Sequence, residues 1–251
     1  MKKNIFYLFA HQDDEFGIFI DILKKIKNNN IYVFYLTSGY KDKIHKLKLS
    51  KRDLESISVL KKIGVKKKNI KFIGKELDIR SNKLYSDIDK AYKAILKFTK
   101  KKIPHQIITL SWEGGHEDHD ACNLLGRKIA FKFGIVKNSG EFSLYNAYKL
   151  RLIFFRVFNP INKKGNIIKI NFYDRLFIIK LLFYYKSQFK IWIGLYPFVI
   201  FHYIFLGYNF IQPLNNCKSI EKPHTGKLLY ESRKFCEFKD FKKKLIYFLN
   251  D

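Results

Sequence analysis

Four short apolar runs without polar alternation occur in the first half of the chain, as is typical of strands buried on both faces of a sheet. They cover residues 4–10, 31–36, 70–73 and 106–110. Apolar residues recur at helical spacing over residues 16–26, about 50–63, 86–101 and 119–133, with Ser86 as a predicted N-cap. This alternation predicts an α/β fold with a Rossmann-like, mostly parallel sheet and helices on both of its faces.

The pattern changes after residue 148. Residues 150–158 and 166–172 are predicted strands, and residues 174–188 are a predicted amphipathic helix. Residues 191–211 contain no Asp, Glu, Lys or Arg and are numerous enough to cross a bilayer, although Pro197 weakens that interpretation. We therefore expect a Rossmann-like core over residues 1–148. The C-terminal part, residues 149–251, would complete its pocket and carry this hydrophobic and aromatic extension.

The chain is strongly basic. Its 251 residues include 49 Lys and Arg against 22 Asp and Glu, which gives a net charge of +27. Such a charge suits a nucleic acid or an anionic membrane surface, and it also follows from a general bias toward Lys, Ile and Asn. The charge is spread along the chain, and zinc-finger spacing and RNP-like patterns are missing from the sequence. Nucleic acid is therefore not the expected partner.

The N-terminus and the cysteines indicate the compartment. The apolar run after the basic start is too short for a secretory signal peptide. The three cysteines, Cys122, Cys217 and Cys236, are an odd number without a CxxC pair, which argues against a disulfide framework. We expect a cytoplasmic protein, or one held peripherally at the inner face of the membrane by residues 191–211 and the positive charge.

Two clusters of histidine and acidic residues follow predicted strands. Residues 11–15 (HQDDE) come directly after the first strand, and residues 116–119 (HEDH) follow the fourth strand after a Gly-Gly loop. In a doubly wound sheet the carboxyl ends of these two strands border the ligand-binding crevice, so the clusters should face each other. Histidine and carboxylate are common ligands of catalytic zinc. Taken alone, the first cluster would also suit a helix N-terminus, where carboxylates are favourable.

The sequence resembles the PIG-L/LmbE-like family of metal-dependent N-acetylglucosaminyl deacetylases. AHQDDE at residues 10–15 resembles the family's AHPDDE box, and GHEDHDA at residues 115–121 resembles its HPDHxA box. Weaker similarities are LTSG at 36–39, RDLE at 52–55, FIG at 72–74 and KSQ at 186–188. Gln12 and Glu117 replace two prolines of the family pattern. Neither position supplies a ligand, so we expect a changed loop stiffness and no loss of chemistry.

The resemblance implies a metal site and a substrate. His11, Asp14 and His119 would bind a zinc ion, although such a mixed set of ligands also suits Fe2+, Co2+ or Mn2+. The implied reaction is hydrolysis of the N-acetyl group of an amino sugar, in an N-acetylglucosamine-type glycoconjugate or glycan precursor. That N-acetylated sugar is the expected partner, and the oligomeric state is not predicted.

The resemblance also assigns roles around the metal. Asp13 would be the general base, a positively charged His116 would stabilise the oxyanion, and Asp118 would fix the tautomer of a histidine. Arg52 and Asp78 would contact the substrate. Their simpler alternatives are an ion pair within one helix for Arg52 and a loop cap for Asp78.

Two alternatives to this function stay open at the level of sequence. The first is a related metal-dependent amidohydrolase with the same site and another N-acyl substrate, such as a thiol-sugar conjugate. The second is a non-enzymatic basic protein that binds nucleic acid or membranes through its charge. The second alternative leaves the paired histidine and acidic clusters unexplained.

Overall fold

The computed structural model describes residues 2–42, 49–149, 156–215 and 220–250. The strands are β1 (Asn4–Phe9), β2 (Asn30–Tyr35), β3 (Ile70–Lys71), β4 (Gln106–Leu110), β5 (Gly140–Phe142), β6 (Tyr145–Asn146), β7 (Arg156–Val157), β8 (Asn166–Lys169) and β9 (Tyr208–Pro213). Among these residues, seven strands form one sheet in the order β3-β2-β1-β4-β5-β9-β8. The first five in that order are parallel, and β9 is antiparallel to both of its neighbours. The predicted α/β fold with a mostly parallel sheet is confirmed.

Helices surround this sheet. They are α1 (Phe19–Lys25), α2 (Lys51–Lys62), α3 (Ile73–Glu76), α4 (Leu84–Thr99), α5 (Glu117–Lys132), α6 (Phe172–Leu182), α7 (Phe189–Trp192), α8 (Tyr196–Phe201), α9 (Leu229–Ser232) and α10 (Phe238–Asn250). A π-helical turn, His202–Leu206, continues α8. The helix α2 begins as the sequence predicts, because the side chain of Ser50 accepts a hydrogen bond from the backbone of Asp53 and a capping box closes the turn.

Strand β1 lies at the centre of the sheet, between β2 and β4. Its side chains from Phe6 to Phe9 are fully buried, as expected for a strand covered on both sides. The order of the parallel strands reverses between β1 and β4, and open α/β sheets bind ligands outside the carboxyl ends of the strands at such a point. The fold therefore brings the loop after β1 and the loop after β4 together, as predicted.

Two predicted boundaries in the core are wrong. The third strand ends at Lys71, because α3 begins at Ile73, where Gly74 packs so closely on the backbone of Thr37 that a Cβ atom would overlap it. The helix expected from Ser86 begins at Leu84. The backbone N–H of Leu84 donates to Asp118 Oδ1 at 3.0 Å, so a carboxylate from another helix satisfies the helix start.

The C-terminal part follows its predicted pattern less closely. Residues 150–155 of one predicted strand lie outside the described residues. The other ends at Lys169, because Asn171 caps α6 by accepting from the N–H of Asp174 at 2.8 Å. The predicted helix 174–188 therefore starts earlier and ends at Leu182.

The hydrophobic segment 191–211 is broken into several elements. It contains the end of α7, then α8, the π-helical turn and most of β9. In the described part of the chain, no helix combines the length and apolar character needed to cross a bilayer. Strand β9 joins the core's sheet next to β5, whereas the boundary at residue 148 stays a prediction.

Candidate metal and catalytic site

The loop after β1 turns sharply to present its acidic residues. The backbone N–H of His11 donates to Asp14 Oδ2 at 2.7 Å, and a 3-10 turn begins at Asp14. Asp13 has a φ of 121°, a region that residues with a Cβ atom rarely occupy and that costs about 1–3 kcal/mol. This conformation lets Asp13 and Asp14, although adjacent, both line the same cavity.

His11, Asp14 and His119 form a buried group that suits a metal ion. Their ligand atoms all lie within 4.8 Å of one another. His119 Nε2 is 3.2 Å from Asp14 Oδ1, and His11 Nδ1 is 3.8 Å from Asp14 Oδ2. Ligands bound at about 2.1 Å in tetrahedral geometry lie roughly 3.4 Å apart, so this spacing fits zinc with little movement. The three predicted ligands are thus brought together, and two nitrogens with one carboxylate match a catalytic zinc site.

The charges of this group are arranged to attract a cation. Burial alone would lower the pKa of His11, but hydrogen bonds and charge from Asp118 and Asp14 outweigh it and raise the pKa to about 10. Burial would raise the pKa of Asp14, yet His119 and His11 hold it well below its usual range. A metal would have to displace the His11 proton on binding, as metals do when they bind protonated ligands.

Asp118 holds His11 in place. Its Oδ2 lies 3.0 Å from His11 Nε2, which leaves Nδ1 of that ring facing Asp14. Asp118 also accepts from the backbone N–H groups of Asn82 and Leu84, at 2.6 and 3.0 Å, so its own position is fixed. A carboxylate on the far nitrogen of a ligand histidine is the arrangement that fixes its tautomer. This geometry matches the predicted contact between Asp118 and a histidine.

His116 lies against both other histidine rings. Its ring centroid is 4.8 Å from that of His11 and 5.1 Å from that of His119. Burial, with charge from His11, lowers the pKa of His116 well below its usual range, so a positively charged His116 is not supported. Its Nδ1 accepts the backbone N–H of Asp118 at 3.1 Å. The neutral ring must then carry its proton on Nε2, where it can donate one hydrogen bond. With His11 and Asp118 it forms a second group that could hold a metal.

Asp13 is held by two donors on one oxygen. Arg52 Nη2 lies 3.3 Å from Asp13 Oδ2, and Trp192 Nε1 donates to the same oxygen at 3.2 Å. Burial raises the pKa of Asp13 to about 7, against the lowering effect of Arg52. Arg52 also donates to the backbone carbonyls of Gly39 and Gln12, so its guanidinium is fixed between the loops after β1 and β2. Both side-chain hydrogen bonds that Asp13 accepts within the described residues go to Oδ2, so neither occupies Oδ1.

The alternative role of Arg52, an ion pair within its helix, is not what the structure shows. Glu55 instead accepts from the backbone N–H of Ser187 at 2.9 Å and from its hydroxyl. This link gives the KSQ stretch a structural role, because it ties α2 to the C-terminal part. Asp78 has a φ of 57° in a turn and is not among the residues that line the cavity, and its contact with substrate stays a prediction.

A cavity of about 520 Å³ opens over the candidate metal ligands His11, Asp14 and His119, which we call the metal group. The C-terminal part supplies part of its wall, including Trp192, Leu195, Arg233 and Phe235. Sequence reasoning missed Trp192, since it lies in an apolar run and nothing in its spacing marks it as a partner of Asp13. It also missed Tyr145, whose ring lies 5.4 Å from that of His119. These residues come from segments outside the two motifs and meet them only through the fold.

Glu113 anchors the loop that carries the second cluster. Its carboxylate accepts from the backbone N–H groups of Leu144 and Tyr145 at 2.8 and 3.1 Å, from Asn146 Nδ2 at 3.0 Å, and from the hydroxyl of Ser143. Burial raises its pKa to about 7 even so. The loop after β4 is therefore tied to the segment between β5 and β6. Nothing in the family boxes points to this residue.

Residues 6–130 match the model of the PIG-L family, whose description is GlcNAc-PI de-N-acetylase. The chain belongs to the PIG-L family. The matched residues contain both histidine and acidic clusters, and they end within α5. The PIG-L segment thus supplies the metal group, whereas Trp192, Arg233 and Phe235 lie beyond it. No curated protein matches the sequence.

The PIG-L chain shares its fold with several solved structures. One is N,N'-diacetylchitobiose deacetylase from Pyrococcus horikoshii, at 22% identity, with 84% of each chain covered and a TM-score of 0.55. Another is teicoplanin deacetylase Orf2 in a zinc-inhibited form, at 13% identity over 83% of this chain and 96% of that chain, with a TM-score of 0.60. A third is GalB, the 4-carboxy-2-hydroxymuconate hydratase from Pseudomonas putida, at 12% identity over 87% and 99%, with a TM-score of 0.52. At these identities the likeness shows the fold alone.

Proposed function

We propose that this protein is a zinc-dependent deacetylase that hydrolyses the N-acetyl group of an amino sugar, in an N-acetylglucosamine-type glycoconjugate or glycan precursor. The observation that carries the proposal is the buried group of His11, Asp14 and His119, with the Asp13 carboxylate beside it in the same cavity. A catalytic zinc site needs three such ligands and an open position. The cavity provides the space for that position.

The comparisons support the same reaction class. The family description names a de-N-acetylase, and two proteins of similar fold are deacetylases by name, one of them acting on N,N'-diacetylchitobiose. The zinc-inhibited form of teicoplanin deacetylase indicates that zinc can bind a protein of this fold, so zinc is one of the metals to test for activity. Fe2+, Co2+ and Mn2+ remain alternatives, because His and Asp ligands accept all of them.

Asp13, His116 and Asp118 have separate roles in hydrolysis of the amide. When bound, zinc would supply a Lewis acid that polarises the acetyl carbonyl and activates water. Asp13 accepts the proton of the attacking water through the oxygen that Arg52 and Trp192 leave free, and can later return it to the amine. His116 donates its Nε2–H to the carbonyl oxygen as negative charge develops there. Asp118 keeps His11 oriented throughout.

The wall of the cavity suits a polar, ring-shaped substrate. Aromatic side chains of Tyr40, Tyr145 and Phe235 provide flat apolar surfaces, and the cationic groups of Lys41 and Arg233 provide donors for hydroxyl oxygens. A sugar presents both kinds of surface, since its C–H groups face one way and its hydroxyls another. We place the reaction in the cytoplasm, where free thiols such as Cys122 and Cys236 are stable.

The reaction can be tested directly by acetate release. The zinc-loaded protein is expected to release acetate from at least one member of a panel of free, nucleotide-linked and lipid-linked N-acetylamino sugars. Asp13→Asn keeps the size of the side chain and should lower kcat by about 10²–10⁴-fold while bound zinc stays unchanged. Full activity in that variant would remove Asp13 as the base. Activity on other N-acyl amides alone would support the related amidohydrolase instead.

The ligand set has its own measurement. His11→Ala and His119→Ala are each expected to lose bound metal in elemental analysis after dialysis, because a site with two of its three ligands binds zinc much more weakly. His224→Ala serves as the matched control, since His224 is outside both metal groups. Equal metal content in all three variants would show that the ion, if any, binds elsewhere. A protein that binds nucleic acid by charge alone would show no specific metal stoichiometry at all.

A further inference from the structure

The helices after residue 166 expose an unusual number of apolar side chains. Among the described residues, 11 of the 17 large hydrophobic side chains that are exposed lie between residues 167 and 206. We call ten of these the apolar face: Phe172, Tyr173, Leu176, Phe183, Phe189, Ile193, Phe201, Ile204, Phe205 and Leu206. Single exposed hydrophobic residues are ordinary on protein surfaces, but a concentration of this kind marks an interaction site.

The residues of the apolar face come largely from two helical segments that lie side by side, α6 and the segment formed by α8 and the π-helical turn. Near one end, the hydroxyl of Tyr196 donates to the backbone carbonyl of Leu182 at 2.7 Å. At the other end, Arg175 Nη1 donates to the carbonyl of Ile204 at 3.0 Å. The end of α6 thus meets the start of α8, and the start of α6 meets the π-helical turn. Both segments contribute exposed apolar residues along this shared length.

In the second segment with the residues just before it, residues 193–206, the solvent-facing side is apolar, whereas the solvent-facing side of a surface helix is usually polar. Its exposed positions recur every four residues at Ile193, Pro197, Phe201 and Phe205. Ile193 is 65% exposed, Phe201 55% and Phe205 66%. A surface helix ordinarily places charged residues on this side, whereas a helix that is apolar all round is found in an apolar environment. This segment therefore needs a covering.

The charges around the apolar face indicate whether it contacts a lipid bilayer or a second copy of the chain. Between residues 160 and 206 the sequence contains one acidic residue, Asp174, and seven basic residues. The basic residues are Lys163, Lys164, Lys169, Arg175, Lys180, Lys186 and Lys190. Exposed aromatic and aliphatic side chains bordered by lysines are the composition of segments that lie in the interface of an anionic bilayer. Two copies of this surface, in contrast, would bring like charges together in a chain of net charge +27.

We propose that the apolar face docks on the surface of an anionic lipid bilayer. The Phe and Ile side chains enter the headgroup region, and the lysines contact lipid phosphates. Ile193 lies between Trp192 and Gly194, which both line the cavity, so docking places the mouth of the cavity at the membrane surface. The inference goes beyond the proposed function, because docking requires neither bound metal nor turnover.

Flotation with vesicles tests the docking. The full chain is expected to float with vesicles of equal parts phosphatidylcholine and phosphatidylglycerol, and far less with phosphatidylcholine alone. Added salt should weaken the first result, because it screens the attraction between lysines and headgroups. The double variant Phe201→Ser and Phe205→Ser should lose about tenfold in partitioning. Both side chains are exposed, so circular dichroism and melting should match the unmodified chain.

A matched control separates this surface from general stickiness. Phe131→Ser with Tyr247→Ser removes two aromatic side chains that are 65% and 67% exposed on α5 and α10. This variant should float like the unmodified chain. Equal flotation of both double variants, or no flotation of the unmodified chain, would overturn the proposal. Light scattering tests the alternative, a dimer formed through the apolar face. If the unmodified chain is a dimer that does not bind vesicles, and only the Phe201 and Phe205 variant is a monomer, the face contacts a second copy.

Discussion

The position of one carboxylate, that of Asp13, depends on residues from three parts of the chain. Its backbone has a strained φ of 121°, its side chain lines the cavity, and Arg52 and Trp192 both donate to its Oδ2. Gly39 completes this arrangement, because its carbonyl accepts from Arg52 and its φ of 74° is one that glycine adopts without penalty. Strain of this kind persists only where the surrounding contacts enforce it.

Replacement of Gly39 tests this dependence. A Cβ at Gly39 would collide with Gln12 and contact the Arg52 guanidinium, in addition to the cost of a positive φ. Gly39→Ala should therefore lower the free energy of unfolding by about 1–3 kcal/mol and also lower kcat. Gly134→Ala is the matched control. Its φ is 65° but nothing lies within 4 Å of the added Cβ, so it should cost only about 1–2 kcal/mol and leave kcat unchanged. Equal kcat in both variants would contradict the positioning role of Gly39.

At the level of elements, the first half of the chain could be predicted well and the second half poorly. Central strands such as β1 and β4 are uninterrupted apolar runs, and their order follows from general rules for parallel sheets. The helix start at Leu84 could not be predicted, because its cap is Asp118, which is distant in sequence. The helices α6 to α8 expose apolar residues, so periodicity does not separate their inner and outer faces.

The same difference holds for the site. The metal group follows from two short motifs, since each lies directly after a strand and the strands are neighbours. Trp192 and Arg233 belong to the cavity only because the C-terminal part folds back over it. Ser187 was marked by resemblance alone, and its physical role, a bond to Glu55, depends on a contact between distant elements. Residues whose role is to connect elements carry no local signal.

Glu113 connects the loop after β4 to residues 143–146, and loss of its acceptor oxygens should weaken the fold. Glu113→Gln keeps the size of the side chain but turns one oxygen into an NH2 group that must face donors such as Asn146 Nδ2. Because a buried donor then lacks its acceptor, the variant should lose about 1–3 kcal/mol of unfolding free energy in urea titration at about pH 4.5, where the raised pKa keeps Glu113 protonated in the folded chain and no buried charge differs between the two proteins. Glu76→Gln, on an exposed part of α3, should change stability by less than about 0.5 kcal/mol. A stable Glu113→Gln protein would show that the loop is held by other contacts.

For the whole molecule, the fold alone is compatible with a wider range of reactions than the residues of the site are. The same architecture occurs in an N,N'-diacetylchitobiose deacetylase and in a hydratase, so the sheet and its helices are a scaffold for more than one reaction. What distinguishes this chain as a whole is its charge. The sequence has 49 basic and 22 acidic residues, a difference of 27. If each acidic side chain paired with one basic side chain, 27 cationic side chains would still lack an acidic partner. Their mutual repulsion acts on the compact state and weakens in the expanded unfolded chain.

This repulsion predicts that salt stabilises the folded protein. Raising NaCl from about 20 mM to about 200 mM shortens the screening length from roughly 20 Å to below 8 Å, so repulsion between distant lysines largely disappears. We expect a gain of about 1 kcal/mol, or roughly 2–4 °C in Tm by differential scanning fluorimetry. Lys93→Glu on α4 should raise Tm at low salt and reduce the further gain, because it removes like-charge pairs with Lys90 and Lys97 against the loss of one opposite-charge pair with Asp89. Sodium sulfate at equal ionic strength separates the two causes: a rise in sulfate without a rise in NaCl would mean that a bound anion, and not screening, stabilises the fold.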